Sequence, residues 1–218
     1  MLEIPTTRPT RLCLVRHGET EWNAERRIQG QIDIGLNPGG LRQAEAAGRW
    51  LQRAGLVALY SSDLQRAWHT ACAIGAATGL DPIAMPALRE RRYGIFEGLT
   101  YAELAASHPA GYAAFEARDP DYDFESGESL KAMYARVTGC LQALAASHPG
   151  MAIGLVLHGG VLDIVNRFVR GTPLEAPRDF LIPNAGINWI AWDGRRWAIE
   201  AWGETHHLEP GALDELPS

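Results

Sequence analysis

The chain has 218 residues, a size at which one fold buries about 70% of its unfolded surface and needs no disulfide or metal staple. Its 46% hydrophobic and 21% charged residues are ordinary for a globular protein, and a net charge of −6 argues against the basic face of a general nucleic-acid binder. A small anion stays admissible, because a local arginine cluster decides that; Lys131 is the only lysine among 20 Lys and Arg residues, which suits bidentate phosphate recognition but which codon bias explains equally well.

Residues 1–10, with Pro5 and Pro9, read as a loose leader without the basic-then-apolar pattern of a secretory signal. RLCLVRH is a short apolar strand ending at His17. From residue 40 to about 53, Leu41, Ala44, Gly48 and Leu51 recur at helical spacing. Residues 57–60 predict a second strand. Ser62-Asp63 then gives a helix-capping signal, Leu64, Ala67, Ala71 and Ile74 form one helical face, and Gly79 stops the helix. Residues 81–88 predict an extended segment, and Thr100 with Glu103 makes a capping box for a helix over Tyr101–Ser107. Residues 109–128 are acidic, aromatic and irregular. A long helix follows, with Leu130, Met133, Val137, Leu141 and Leu144 on one face. Residues 151–157 predict a buried strand, 160–169 a helix ended near Gly171, and 187–203 a hairpin turning at Asp193-Gly194. Residues 204–218 read as a tail.

Short apolar strands alternating with helices predict a three-layer α/β/α fold, a mostly parallel sheet with helices on both faces. One α/β domain over residues 11–203, carrying an insertion at 90–128, is the economical organisation. No apolar run approaches membrane-spanning length. Cys13, Cys72 and Cys140 lack metal-type spacing, so buried reduced thiols, a cytoplasmic location and no membrane partner are the expectations.

In open α/β sheets, ligands bind beyond the carboxyl ends of the strands. Arg16-His17-Gly18 ends the first strand, and Ser61-Ser62-Asp63 ends the second and leads to Arg66 in a first helical turn. Arg89-Glu90 follows the extended segment, and His158-Gly159-Gly160 ends the strand over 151–157 and opens a helix. Two histidines, two arginines and a carboxylate thus converge on two helix N-termini, which attract anions on their own. The set suits phosphoryl transfer: a neutral imidazole is a nucleophile, fixed cations neutralise the moving phosphoryl group, and a carboxyl with raised pKa protonates the leaving oxygen. No metal and no cofactor is required. Each residue alone has an ordinary structural explanation, Glu90 as an ion-pair partner of Arg89, Arg91 or Arg92 among them; the convergence carries the argument.

LVRHGETEWN, RIQG, LNPGGLRQA, YSSDLQRAWHTA, LRERRYGIFEG, SGESL and LVLHGG, in order from about residue 11 to 165, together resemble the phosphoglycerate-mutase-like branch of the histidine phosphatase superfamily. The resemblance implies His17 as the phosphorylated nucleophile, Arg16, Arg66 and His158 around the phosphate, Glu90 as general acid and Asn23 as a further phosphate ligand. It places Gln29, Gly30 and the backbone of Gly159 on the rim. Arg92 and Tyr93, beside Glu90, complete the substrate-binding candidates.

The branch contains mutases and phosphatases. In the cofactor-dependent mutases a Lys follows the Gly-Leu after the acid, and a longer insertion carries an Arg pair. Here Tyr101 occupies the Lys position and Arg118 is the only Arg between Arg92 and Arg136. Seven aromatics, Tyr93, Phe96, Tyr101, Tyr112, Phe115, Tyr122 and Phe124, stand there instead, as the insertion's own core or as an aromatic mouth. The expectation is a phosphatase for small phosphorylated metabolites, with phosphoglycerate mutase as the alternative and a non-catalytic phosphate binder third. Dimerisation is common in proteins of this kind, so a homodimer is admissible, although no residue identifies its interface. His69, His108, His148, His206 and His207 are set aside as surface or capping histidines, and Ser129 reads as a helix start.

Overall fold

The computed structural model describes residues 8–209. Six strands form one sheet: β1 (Thr10–Arg16), β2 (Leu56–Ser61), β3 (Pro82–Ala84), β4 (Ala152–Leu157), β5 (Ile187–Trp192) and β6 (Trp197–Glu204), in the order β3-β2-β4-β1-β5-β6. The first four are mutually parallel, and β5 and β6 add an antiparallel hairpin beside β1. The helices are α1 (Glu21–Ala24), α2 (Pro38–Leu51), α3 (Gln65–Thr78), α4 (Tyr101–Ser107), α5 (Pro109–Glu116), α6 (Leu130–Ser147) and α7 (Gly159–Arg170).

Alternation along the central strands makes the three layers. Leu12 and Leu14 of β1 point with Ile153, Leu155 and Leu157 of β4 into a core shared with Met133, Val137 and Leu141 of α6 and Ile164 and Val165 of α7. Cys13, Val15 and Val156 point the other way, onto Ala47 and Leu51 of α2 and Ala67, Ala71 and Ile74 of α3. Full burial of each Leu, Ile or Val contributes roughly 1.5–3 kcal/mol, so a strand slipped by one residue would exchange the two faces and lose both cores. The expected three-layer, mostly parallel arrangement is what the chain adopts.

Several local expectations change. Strand β1 begins at Thr10 rather than after it. The Thr10 hydroxyl donates to His148 O at 3.0 Å, so this end of the expected leader is built into the sheet; residues 1–7 lie outside the described residues. In α2 the buried positions are Gly40, Ala44, Ala47, Gly48 and Leu51, and Leu41 is half exposed. Helix α3 is capped by neither Ser62 nor Asp63. Its first N–H, of Gln65, donates to Asp33 at 2.7 Å, and Asp63 instead holds Arg89. The segment expected to be irregular contains α5, with Pro109 at its first turn and no buried residue to betray it by periodicity. Cys13 is buried, but Cys72 is exposed. The start of the expected tail is built into the fold: Glu204 pairs in β6, and His207 Nε2 bonds Ala185 O at 3.0 Å. Residues 210–218 lie outside the described residues.

The seven aromatics of the insertion pack on one another. Phe96 and Phe124 are fully buried, with ring centroids 5.0 Å apart, and Tyr93, Tyr112, Phe115 and Tyr122 surround them. Tyr101 stacks on Phe115. This is a small separate core, which Arg118 ties to α7 through Asp163 (2.5 Å) and to Leu174 O (2.8 Å).

Candidate active site

Parallel neighbours in register bring distant residues together. Arg16 of β1 stands opposite Leu157 of β4, so the next residues, His17 and His158, emerge side by side about one strand spacing apart. Their ring centroids lie 5.2 Å apart. On the other side of β4, Ser61 stands opposite Val156, which brings Ser62 level with Leu157, within side-chain reach of the next residue: Ser62 Oγ lies 2.8 Å from His158 Nε2.

Both histidines, Arg16, Arg66 and Glu90 are buried. Burial, then the guanidinium groups of Arg66 and Arg16, push the His17 pKa well below the ordinary imidazole value. The ring is therefore neutral at neutral pH. Its Nδ1 lies 2.7 Å from Gly18 O, and because a carbonyl only accepts, Nδ1 carries the proton and Nε2 keeps its lone pair. The turn itself is fastened by Gly18 N–H to Thr70 Oγ1 (3.0 Å), by Ala185 N–H to His17 O (3.2 Å) and by Asn184 Nδ2 to the same carbonyl (3.1 Å).

The two arginines are aimed by backbone carbonyls. Arg16 donates to Ile182 O at 2.6 Å, and Arg66 donates to Gly30 O at 2.7 Å and Ile32 O at 3.0 Å. Gly30 has φ +53, and a Cβ there would run into the Glu97 carboxylate, whose Oε1 accepts Gln31 N–H and Tyr93 N–H. Glycine is thus required twice over in the turn that orients Arg66.

Glu90 reaches the site from the loop after β3. It accepts Arg91 N–H at 2.7 Å and, at the N-terminus of α7, Gly160 N–H at 3.0 Å. Burial raises its pKa; the two N–H donors and then Arg66 and Arg16 partly offset that rise. Arg136 holds the loop by donating to Ala87 O (2.8 Å) and Arg89 O (2.9 Å) while forking onto Glu128.

The sequence-derived candidates therefore divide. His17, Arg16, Arg66, Glu90 and His158 lie close enough to perturb one another's charges. Gly159 opens α7, and a Cβ built on it would lie 3.6 Å from the Arg16 guanidinium, so its backbone stands beside Arg16. Asn23 completes the capping box of α1 opposite Thr20: its Oδ1 accepts from Thr20 N–H and hydroxyl (3.0 Å each) and from Asn184 (3.4 Å). Gln29 is buried rather than at an open rim. Arg92 is not brought in: it is exposed, donating to Gly127 O at 3.2 Å. Tyr93 packs edge-on against Phe115 and Phe124 in the insertion core. Sequence reasoning missed Ser62, Asn184, Glu97 and Arg136 as supports of the site. Ser62 had a signal, since it stands one residue past a strand end beside the His158 strand; the others contact the site only through tertiary packing. Among the described residues no three His, Cys, Asp or Glu side chains converge as a metal site requires.

Two buried imidazoles 5.2 Å apart, with two buried guanidinium groups and a buried carboxyl near enough to shift their proton affinities, can bind and transfer a phosphoryl group at the carboxyl edge of an α/β sheet. The family model of the histidine phosphatase superfamily, branch 1, matches residues 12–205, and the chain belongs to that family of enzymes. It is 39% identical over 202 residues to phosphoglycerate mutase-like protein 4 of Arabidopsis thaliana, covering 91% of this chain and 86% of that protein. It is 40% identical over 203 residues to a metal-independent phosphoserine phosphatase of the same plant, covering 91% and 83%. A solved mycobacterial glucosyl-3-phosphoglycerate phosphatase superposes with a TM-score of 0.80 at 31% identity, over 89% of this chain and 99% of that one.

Proposed function

We propose that this protein is a metal-independent phosphatase that hydrolyses small phosphomonoesters through a phosphohistidine on His17. The phosphoryl group is held by Arg16, Arg66 and His158, with Asn23 as a further ligand. His17 Nε2 attacks phosphorus, the P–O bond to the alcohol breaks, and the Glu90 carboxyl gives its proton to the departing oxygen. Water then attacks the phosphohistidine and the P–N bond breaks. Glu90, now a carboxylate, takes a proton from that water as inorganic phosphate forms.

The observation that carries phosphatase over mutase is the state of Arg118. A mutase must hold a phosphorylated acid for re-phosphorylation, which needs cations beyond the phosphate pocket. Arg118 is the only Arg between Arg92 and Arg136, and its guanidinium is engaged by Asp163 and Leu174 O. Phosphatases among the similar proteins support the same reading. No described helix is long and apolar enough to cross a membrane, and the proposed setting is the cytoplasm.

The test is a panel of phosphomonoesters assayed in EDTA, including phosphoserine and 3-phosphoglycerate with 2,3-bisphosphoglycerate. Phosphate release without isomerisation is expected. Efficient isomerisation would overturn the phosphatase reading, and loss of activity in EDTA would overturn the mechanism.

A further inference from the structure

His158 is buried, and both of its ring nitrogens have identifiable surroundings. Nε2 faces Ser62 Oγ at 2.8 Å, whereas Nδ1 is buried with no hydrogen-bond partner among the described residues. The two nitrogens point roughly opposite ways from an imidazole. Since β4 lies between β2 and β1, an Nε2 turned toward Ser62 after β2 leaves Nδ1 on the side of His17 after β1.

The direction of the proton in the Ser62–His158 bond follows from the other bonds of the hydroxyl. Ser62 is fully buried, and its Oγ already accepts Leu64 N–H at 3.3 Å. A hydroxyl has one proton to give. If Nε2–H donated to Oγ, that oxygen would accept twice, and its own proton would have no other acceptor among the described residues. A buried donor left unmade is costly. If Oγ–H donates to Nε2, the hydroxyl is satisfied and the imidazole carries its proton on Nδ1; Nδ1–H is then the one group left open, on the side of His17, whereas the other arrangement leaves both the hydroxyl proton and the Nδ1 lone pair unmet.

We propose that Ser62 is the positioning residue that sets the tautomer of His158, donating to Nε2 so that Nδ1–H is presented to the phosphoryl group. This rests on the reading of His158 as a phosphate ligand. The wrong tautomer would present a lone pair to an anionic oxygen, turning an attractive contact into a repulsive one. A tautomer is meaningful because the ring is neutral: burial, then Arg66, His17 and Arg16, hold its pKa well below the ordinary value.

Long-range proton–nitrogen NMR of histidine-labelled protein at neutral pH, with the His158 signals assigned from a His158→Gln variant, reads the tautomer directly. In the wild type Nδ1 is expected at a protonated, pyrrole-like shift and Nε2 at a pyridine-like one; the reverse pattern overturns the proposal without any Ser62 variant. In Ser62→Ala the two shifts are expected to move toward averaged values, kcat to fall on the order of 10²-fold, as for loss of one fixed transition-state donor, and orthovanadate inhibition to weaken. A Ser62→Ala protein that keeps the wild-type shifts, or keeps kcat within about twofold, overturns it. Absence of turnover by the wild type on every phosphomonoester, with His158 still protonated on Nδ1, would defeat the phosphatase reading while supporting the Ser62 assignment.

Discussion

Replacing Glu90 by Gln separates the proposed acid from the structural carboxylate. Glu90 accepts two backbone N–H groups, from Arg91 and Gly160, and Gln has one carbonyl oxygen to offer them. One N–H then faces an amide NH2, at a cost of about 1–3 kcal/mol for a buried donor left unmade. Against this, Gln removes a carboxyl whose ionisation burial opposes. The pH dependence gives the sign. A carboxyl with a raised folded pKa holds its proton in the folded state after the unfolded chain has lost it, so its contribution to stability falls as pH rises between the two values. Above that window Gln recovers part of the lost bond, and the net change is about 1–2 kcal/mol at most, or a Tm lower by a few degrees, roughly 2–4 °C per kcal/mol at this size. Activity responds differently. Loss of a general acid lowers kcat by about 10²–10⁴-fold, and the loss shrinks when the leaving oxygen needs no proton. Steady-state kinetics on an alkyl phosphate and on p-nitrophenyl phosphate, with differential scanning calorimetry of both proteins, measures all of this. Equal losses on the two substrates would refute the general-acid role of Glu90.

His17→Gln is expected to abolish an acid-labile phosphoenzyme that the wild type forms with a labelled phosphomonoester, while circular dichroism stays unchanged. Because the folded pKa of His17 is depressed, its neutral nucleophilic form persists as pH falls, and the acid limb of the kcat/KM profile is expected below the usual imidazole value of about 6.5; stability contributed by the same shift is present above that value and lost on acidification through the folded pKa. Gly30→Ala is expected to lower kcat, as the strained turn and the displaced Glu97 carboxylate move the carbonyls that aim Arg66, with a stability loss of about 1–3 kcal/mol in urea titration. Arg118→Ala leaves Asp163 partly unpaired beside buried Arg167; it is expected to raise KM more than it lowers kcat, since it loosens the insertion and not the phosphate pocket.

The strands, the long helices and the residues proposed to react were legible because periodicity and position agree there. Leu64, Ala67, Ala71 and Ile74 are all buried as their spacing predicts, and Ser129 caps α6 by accepting Ala132 N–H. His17 and His158 were recognisable from their place after apolar strands, where the register then sets them side by side. What escaped depends on partners far away in the chain. Asp63 reads as a cap, but Arg89 competes for it and Asp33 takes over the helix end. Leu41 fits the helical stripe, yet the close approach of Gly40 to the Gly18–Glu19 backbone rotates α2 so that small residues face inward. Asn184 and Arg136 support the site through backbone carbonyls, which leave no pattern in sequence.

The central position of β4 has a consequence for how the molecule comes to exist. It lies between β1 and β2, although it is made after both, after the whole insertion and after α6. A growing chain therefore carries two apolar strand edges that must stay apart until residues 152–157 emerge, a vulnerable interval for mispairing and aggregation. The pairing that ends this interval also sets His158 beside His17, so under the proposed mechanism the onset of turnover reports that the sheet has closed.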